Sequence, residues 1–538
     1  MEWSLPAVLD IVSDVNPGRD MLVWKGVRRT FGEVDRRTRS LASYLADQGI
    51  GIQRERDKLE RWECGQSPVA LILHNCPEYI ESMVACFRAR AVPFNVNHNY
   101  APAEIRSLLE MVGAEAVIYH RSLGPLVNEV KIPGIRLAIE VDDGAGGSSV
   151  EGSVGFEEVV AQAAGKLPVP SPDDLYLVCT GGTTGLPKAV LWRQADVYVS
   201  AMGGRDEMTR EKIAEAALVG SGTWFAPPPL MHAAAQWTVF SGLLGGATIV
   251  MHDDRRRFDA AAIVETASRE QVNLMAIVGD AYARPIIEVL EQRPADLSSL
   301  RVIGTGGALT SEDSKRALLK LLPHVVIRDG YGSSETGGMA YGSSTKGALS
   351  AGFDPSSGAV VLSADRSRLL RPGDDELGWT ARQGRVPLGY LGDQVKTEAT
   401  FPILEGVRMA VPGDRAKIEP NGAIRMLGRD SLVINTGGEK VFVEEVEEVL
   451  RKHPDVYDAL VVGRPSERLG QEVLAVVQLR PGATLEPNEL REFAALSLAR
   501  FKAPRWVAFC AIVRRHASGK PDYQWALGFA DAAVSATQ

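Results

Sequence analysis

Short apolar segments alternate with amphipathic segments along much of this chain. Residues 67–74 read as an apolar strand, residues 78–89 as a helix and residues 92–95 as the next strand. The same short apolar runs, separated by helical stretches, recur at residues 116–119, 175–179, 248–251, 274–278, 302–304 and 325–327. This alternation predicts an α/β fold with a parallel sheet, in which ligands bind beyond the carboxyl ends of the strands.

The pattern changes after residue 430. A strongly amphipathic helix is predicted at residues 443–453, followed by strands at 459–462 and 473–479, a helix at 489–499 and a strand at 506–513. About a hundred residues of α+β structure are enough for a separate domain. With 538 residues in total, we expect a large domain at 1–429 and a smaller one at 430–538.

Composition and charge narrow the function classes. The chain is 45% apolar and 24% charged, as in globular proteins, and its net charge of −9 argues against a nucleic-acid partner. Five cysteines without paired spacing predict a reducing compartment, and hence the cytoplasm. The N-terminus lacks the pattern of a secretory signal, and no apolar run is long enough to predict a transmembrane segment.

A loop rich in glycine and hydroxyl groups follows the predicted strand at 175–179. Glycines allow backbone N–H groups to approach an anion closely, and threonine hydroxyls and a lysine add donors and charge. A Walker loop is excluded, because Ala189 follows the lysine where a magnesium-binding hydroxyl is required; a plain surface turn stays open as an alternative. The predicted phosphate-binding residues are Thr180, Gly181, Gly182, Thr183, Thr184, Gly185 and Lys188.

A second motif, Asp329 to Gly337, places an aromatic ring, a hydroxyl and a carboxylate close together. Nucleotide activation needs an aromatic face for the base, a donor for the α-phosphate and an oxygen ligand for Mg²⁺. Tyr331, Ser334 and Glu335 offer these groups. A glycine-rich turn without chemistry is the alternative.

Together the two motifs resemble those of the adenylate-forming superfamily, which contains acyl-CoA synthetases, luciferases and the adenylation domains of peptide synthetases. The chain departs from the usual pattern at Gly181, where many members have serine, and at Ala189, where glycine is usual. The resemblance runs through nearly the whole chain. It implies a large N-terminal domain of stacked α/β subdomains and a smaller, mobile α+β C-terminal domain.

The resemblance also implies roles for individual residues. Tyr331 stacks on adenine, Asp329 accepts from its amino group, Ser334 touches the α-phosphate and Glu335 helps to hold Mg²⁺. Further nucleotide contacts are implied for Gly307, Ala308, Gly330, Gly332, Asp414 on the ribose, Arg429 on phosphate, and Lys520 in the terminal Ser-Gly-Lys turn. Asp430 corresponds to the hinge between the domains.

These parts together imply a two-step reaction. A carboxylate is a poor electrophile, so the acid first attacks the α-phosphorus of ATP, and Lys520, Thr184, Lys188 and the Mg²⁺ held by Glu335 stabilise the developing charge. Coenzyme A then takes the acyl group after the small domain swings. Gly437, Gly438 and Lys440 resemble the segment that lines the pantetheine path, although the two glycines also suit an ordinary turn.

The acyl pocket is predicted near the segment that ends in His232, which resembles a substrate-facing histidine of the family. The predicted lining residues are His232, Ala234, Trp237, Gly306, Gly337 and Met339. Small residues here leave volume, so we expect a medium- or long-chain fatty acid or a sterol side-chain acid, as for a bacterial fatty-acid or sterol acyl-CoA synthetase. An acyl-AMP ligase serving a carrier protein and a non-catalytic nucleotide-binding homologue are the alternatives, and a homodimer stays open.

Overall fold

The computed structural model describes residues 2–131, 134–180, 188–255, 258–350, 352–429, 432–436, 439–466, 469–516 and 519–535. The side chains of residues 429, 440, 534 and 535 lie outside this description. Of the predicted site, Gly181, Gly182, Thr183, Thr184, Gly185, Asp430, Gly437 and Gly438 therefore fall outside the described residues.

The N-terminal part is an α/β subdomain. Its elements are α1 (Leu5–Val15), β1 (Asp20–Trp24), β2 (Val27–Thr30), α2 (Phe31–Asp47), β3 (Pro68–Ile72), α3 (Pro77–Arg88), β4 (Val92–Asn95), α4 (Pro102–Val112), β5 (Ala116–His120), α5 (Gly124–Val130), β6 (Leu137–Val141), β7 (Val154–Gly155) and α6 (Phe156–Val160). Strands β4-β3-β5-β6-β7 pair in this order, all parallel, as expected from their apolar runs. Helix α3 is buried along nearly its whole length because it lies between two sheets.

The central part carries most of the second, larger sheet. Its elements are β8 (Leu175–Thr180), β9 (Lys188–Arg193), α7 (Gln194–Ala201), α8 (Arg210–Val219), β10 (Thr223–Ala226), α9 (Ala233–Leu244), β11 (Thr248–Met251), α10 (Ala260–Arg269), β12 (Leu274–Ile277), α11 (Gly279–Gln292), β13 (Val302–Gly306), α12 (Glu312–Leu321), β14 (Val326–Ser333) and β15 (Gly337–Ser344). The strands β10 to β14 are parallel, whereas β2 and β15 add antiparallel edges. Helices α10, α11 and α12 cover one face with an apolar core.

A β-rich part follows, and ends the large domain. Its elements are β16 (Asp354–Pro355), β17 (Ala359–Leu362), β18 (Gly378–Gln383), β19 (Gly389–Tyr390), α13 (Gln394–Thr400), β20 (Ile403–Leu404), β21 (Val407–Ala410), β22 (Asp414–Ile418) and β23 (Ile424–Arg429). Strand β16 completes the larger sheet, in the order β16-β15-β14-β13-β12-β10-β11-β1-β2. Strand β19 pairs with β9, and the other strands of this part form a separate antiparallel sheet.

The C-terminal part has the α+β composition that the sequence predicts. Its elements are β24 (Ile434–Thr436), β25 (Glu439–Val441), α14 (Val443–Arg451), β26 (Val456–Ser466), β27 (Gly470–Leu479), α15 (Pro487–Ser497), β28 (Trp506–Cys510) and α16 (Tyr523–Ser535). The long hairpin of β26 and β27 has one apolar core under α14 and α15 and a second under α16.

Three expectations from the sequence were wrong. Strand β8 belongs to a three-stranded antiparallel sheet with β9 and β19, not to a parallel one. The strand predicted at residues 302–304 continues through Gly306 as β13. The strand predicted at residues 325–327 extends into the second motif, because β14 runs from Val326 through Ser333 and pairs with β15 as a hairpin. Glycines in the motif allow this pairing, since small residues let neighbouring backbones approach.

Candidate functional site

The floor of the candidate nucleotide site is formed by two sheets that are joined there by a side-chain hydrogen bond. The Tyr331 hydroxyl on β14 donates to Oδ2 of Asp414 on β22, at 2.6 Å. Asp414 is buried and follows Gly413, whose φ of +98° lies in the left-handed region that glycine tolerates. Arg429 pairs with Asp414 across β22 and β23, and its side chain lies outside the described residues. The structure thus joins the predicted adenine and ribose residues directly.

The backbone beside Tyr331 is tightly packed. Gly306 and Gly330 are paired on neighbouring parallel strands, and a Cβ on Gly306 would lie 2.9 Å from the Gly330 carbonyl oxygen. Gly307 has a φ of +76°, and its position continues directly from the end of β13 to Ala308. Gly306 was predicted to open volume for the acyl chain; its missing Cβ instead lets two strands approach.

Asp329 is held by a residue that sequence reasoning missed. Lys315, on helix α12, brings its Nζ to 2.7 Å from Oδ2 of Asp329, and both residues are buried. Burial raises the pKa of the Asp329 carboxyl, while the hydrogen bond and charge of Lys315 lower it. The ion pair engages one carboxylate oxygen, so the adenine contact expected of Asp329 depends on the other.

Glu335 is held by another residue that the sequence did not reveal. The Tyr390 hydroxyl donates to Oε1 of Glu335 at 2.8 Å, and both side chains are buried. Nζ of Lys188 lies 5.5 Å and Nζ of Lys396 5.4 Å from the centre of the Tyr390 ring. Tyr390 therefore brings the predicted metal ligand and the phosphate-loop lysine into one neighbourhood.

The ends of the predicted phosphate loop are described, although its centre is not. Thr180, the last residue of β8, is paired with Lys188, the first residue of β9. Ser334 lies nearby in the fold, since its carbonyl oxygen accepts from Nε1 of Trp192 on β9, at 2.9 Å. Cys179 is buried, and burial raises the pKa of its thiol, as suits a packing residue rather than a nucleophile. Strand β9, which starts where the loop ends, therefore contacts the motif of Ser334.

The predicted catalytic lysine acts electrostatically on His232, a residue of the predicted acyl pocket. Lys520 is exposed, and its carbonyl oxygen accepts from the His516 amide at 2.9 Å, which closes a turn with Gly519. His232 is half-buried, and desolvation lowers its pKa to about 4, with further contributions from the positive charge of Lys520 and from His98 and His516. Charge from the small domain therefore reaches the predicted acyl pocket of the large domain.

The acyl-pocket candidates belong to three elements, α9, β13 and β15. His232 precedes α9, which carries Ala234 and Trp237, and among the described residues the buried Nε2 atom of His232 has no hydrogen-bond partner. Met339 on β15 is fully buried. Gly337 does not face open volume, because its φ is +66° and a Cβ would lie 2.7 Å from the Ser200 carbonyl oxygen. Three of the six candidates thus lie at or on α9, and Gly337 packs closely on α7.

The remaining predicted residues concern the metal and coenzyme A. Lys440 lies on β25, with its side chain outside the described residues. Within the described ranges, no group of three or more His, Cys, Asp or Glu side chains could hold a metal ion. Mg²⁺ usually takes one or two carboxylates together with substrate phosphates, so a single buried carboxylate at Glu335 fits this ion in the presence of a nucleotide.

Comparison with known families agrees with this geometry. Residues 9–375 match the family of AMP-binding enzymes, and residues 445–520 match the C-terminal domain of AMP-binding enzymes. The chain belongs to the AMP-binding enzyme family, and the predicted membership of the adenylate-forming superfamily is confirmed.

Individual relatives cover almost the whole chain. It is 44% identical to the medium-chain acyl-CoA ligase Mig of Mycobacterium avium, over 97% of this chain and 98% of the relative. It is 36% identical to a 3-oxocholest-4-en-26-oate–CoA ligase of Rhodococcus rhodochrous, over 98% and 96%. The structure of the anthranilate CoA ligase AuaEII in complex with anthranoyl-AMP superposes with a TM-score of 0.83, at 20% identity, over 99% of this chain and 98% of that one. The predicted fold class, with a large N-terminal and a smaller C-terminal domain, is confirmed.

Among the described residues, no helix combines the length and the apolar character needed to cross a bilayer.

Proposed function

We propose that this protein is an AMP-forming acyl-CoA synthetase that converts an apolar carboxylic acid into its acyl-adenylate and then into its CoA thioester. The observations that carry the proposal are the Tyr331–Asp414 hydrogen bond on the large domain and the electrostatic effect of Lys520, on the small domain, on His232. A nucleotide floor on the large domain and a cation from the small domain are the two halves that adenylation needs.

The first step uses these residues in stated roles. Tyr331 and Asp414 hold adenine and ribose, and Lys188 and Lys520 neutralise the charge that develops as the substrate carboxylate attacks the α-phosphorus of ATP. The bond from the α-phosphorus to the bridging oxygen breaks, and pyrophosphate leaves. Glu335, fixed by Tyr390, would hold Mg²⁺, which supplies charge stabilisation at the phosphates when bound.

The second step transfers the acyl group to coenzyme A. The thiol attacks the acyl carbon, AMP leaves with the electron pair, and the thiol proton passes to solvent or to AMP. Lys520 has no role at the acyl carbon in this step. We therefore propose that the small domain turns about a hinge at Asp430. The large domain then comprises residues 1–429 and the mobile domain residues 430–538. Gly437, Gly438 and Lys440 would then border the path of the pantetheine arm.

The acid that we propose is a medium- or long-chain fatty acid or a sterol side-chain acid. Support comes from the activities of the relatives that match nearly the whole chain, and from the half-buried, neutral His232 at the start of α9, which suits an apolar pocket. We place the enzyme in the cytoplasm. We propose ATP and CoA as its co-substrates and Mg²⁺ as its metal ion.

A panel of acids tests the proposal. Purified protein is incubated with ATP, Mg²⁺, CoA and one acid from a series of acetate, fatty acids of increasing length, a sterol side-chain acid, benzoate and an amino acid, and pyrophosphate and thioester are both measured. We expect both products in equal amounts, and fastest with the apolar acids. A preference for acetate or an amino acid would overturn the substrate class, and pyrophosphate without thioester would favour transfer to a carrier protein.

A further inference from the structure

The first two turns of helix α11 form a platform on the large domain, against which the small domain rests. Val278, Ala281 and Arg284 recur every three residues, a spacing that places side chains on one side of a helix. A Cβ added to Gly519 would lie 3.0 Å from Cγ1 of Val278 and 3.4 Å from Cβ of Ala281. The residue next to the catalytic lysine therefore contacts this platform directly.

Arg284 makes the second contact between the domains. Its guanidinium carbon lies 5.1 Å from the centre of the Tyr457 ring, on strand β26 of the small domain. The arginine side chain is 16% exposed, so this cation–π contact is largely shielded from water. It lies at the end of the platform away from Gly519.

Arg284 is also held by contacts within the large domain. Nη2 of Arg284 lies 3.0 Å from Oδ2 of Asp280, one turn earlier on α11. The other oxygen of Asp280, Oδ1, accepts from the backbone amide of Ser311 at 2.9 Å and from its hydroxyl at 3.1 Å. Asp280 and Ser311 thus fix the guanidinium, and a fixed side chain loses less entropy when a ring packs on it.

Tyr457 is linked to the lysine turn through the next residue. Asp458 accepts from Arg515 in a bidentate pair, with both N–O distances 2.9 Å, and Nη1 of Arg515 also donates to the Gly519 carbonyl oxygen at 3.3 Å. The ring that packs on Arg284 and the turn that carries Lys520 are therefore parts of one rigid unit. Docking of Tyr457 determines where Lys520 lies.

We propose that Arg284 is a positioning residue that latches the small domain in the orientation with Lys520 at the acyl site. It thereby promotes adenylation and not thioester formation. This inference rests on the proposed function, because it assigns Arg284 to one of its two steps. Arg284 itself touches neither substrate.

The test compares Arg284→Ala with a matched control, Arg316→Ala. Arg316 makes the same kind of pair with Glu312 one turn earlier on α12, also at 3.0 Å, but its side chain is 64% exposed. Adenylation is measured as acid-dependent pyrophosphate release, and thioester formation is measured from presynthesised acyl-adenylate and CoA. We expect Arg284→Ala to slow adenylation about 10-fold, the value of a shielded cation–π contact, and to leave thioester formation within about twofold. Arg316→Ala should change neither rate.

Variants of the ring separate a latch from a general loss of structure. Tyr457→Phe keeps the aromatic face and should behave as wild type, whereas Tyr457→Leu should slow adenylation like Arg284→Ala. The double variant Arg284→Ala/Tyr457→Leu should be no slower than either single variant, because both remove the same contact. Equal loss of both half-reactions in Arg284→Ala, no loss in either, or the same loss in Arg316→Ala would each overturn the latch.

A measurement without substrates distinguishes failure of the latch from failure of the proposed function. Fluorophores are placed through unnatural amino acids at positions 346 and 496, which are exposed on the large and the small domain. Energy transfer should shift in Arg284→Ala and stay unchanged in Arg316→Ala; identical transfer in both variants would overturn the latch. Wild-type protein that makes no acyl-CoA from any acid would overturn the proposed function, while this readout would still test the docking.

Discussion

The nucleotide floor and the lysine that completes it are built in opposite ways. On the large domain, Tyr331, Asp329 and Glu335 each have a partner side chain at 2.6–2.8 Å, from β22, α12 and β19. On the small domain, Lys520 is exposed and lies on a turn held by backbone hydrogen bonds and by Arg515. A floor that is fixed in advance does not reorganise when charge develops, whereas a group that serves only one step must be able to leave.

The largest expected effect concerns the stability of the large domain at acidic pH. His74, His98, His120 and His232 all belong to the large domain, and burial lowers the pKa of each from 6.5 to about 4. Between pH 6.5 and 4 the unfolded chain therefore binds more protons at these sites, and stability falls as the pH falls. Asp254 opposes this, because burial raises its pKa to about 6. Of the two described histidines on the small domain, neither is buried.

From these five groups we expect a loss of about 4 kcal/mol per pH unit in the middle of this range, for a net difference of about three protons. Urea unfolding at a series of pH values measures the slope. In His98→Gln the slope should fall by about 1.4 kcal/mol per unit, because one titrating group is gone. A free energy of unfolding that is flat from pH 6.5 to 5 would contradict this explanation.

The next effect tests the role of the small domain in adenylation. Lys520→Ala should lower the rate of adenylation about 10²- to 10³-fold, the usual effect of removing one group that stabilises developing charge. Thioester formation from presynthesised acyl-adenylate should be largely kept. Lys502→Ala is the control, because Lys502 is also on the small domain but pairs with Glu445 at 2.7 Å. If Lys520→Ala slowed both half-reactions equally, the division of labour between the domains would be wrong.

Substitution of a glycine on the large domain is expected to have a smaller effect, which is on stability. Gly337→Ala should destabilise the protein by about 3 kcal/mol, because its Cβ would meet the Ser200 backbone and the residue would keep a positive φ. Thermal or urea unfolding measures this. Gly304→Ala is the matched control: a Cβ there would have no neighbour within 4 Å. Equal stability of the two variants would show that the close approach to α7 is unimportant.

The smallest effect concerns the link between the two sheets. Tyr331→Phe keeps the ring but removes the hydrogen bond to the Asp414 carboxylate, so we expect the KM for ATP to rise about 10-fold, as for loss of a bond to a charged group. The KM for the acid should stay unchanged. Steady-state kinetics with each substrate varied in turn separates the two constants, and a change only in the KM for the acid would contradict the adenine–ribose assignment.

The sequence predicts the local part of this architecture well. The predicted strands at residues 92–95 and 248–251 coincide with β4 and β11, because short apolar runs that are buried on both sides leave a clear signal. The β-rich part from β16 to β23 was not predicted, since its strands are short, largely antiparallel and interrupted by glycine, proline and aspartate.

The residues that contact the site residues could not be predicted from the sequence, for a different reason. Lys315 and Tyr390 carry no motif, and they reach Asp329 and Glu335 only because the folded chain brings α12 and β19 close to these two residues. Gly337 is instructive in the same way. A glycine in a sequence shows that space is needed, but only the structure shows that the space is taken by the Ser200 backbone and not by a substrate.

The most direct test of the central claim, that the acid is activated as an adenylate before it meets CoA, is rapid-quench analysis with ATP labelled at the α-phosphate. Without CoA, we predict that acyl-AMP accumulates to one equivalent per enzyme. When CoA is added, acyl-CoA should form at the rate at which acyl-AMP disappears. Release of labelled ADP, or thioester formed without any labelled acyl-AMP, would contradict the account.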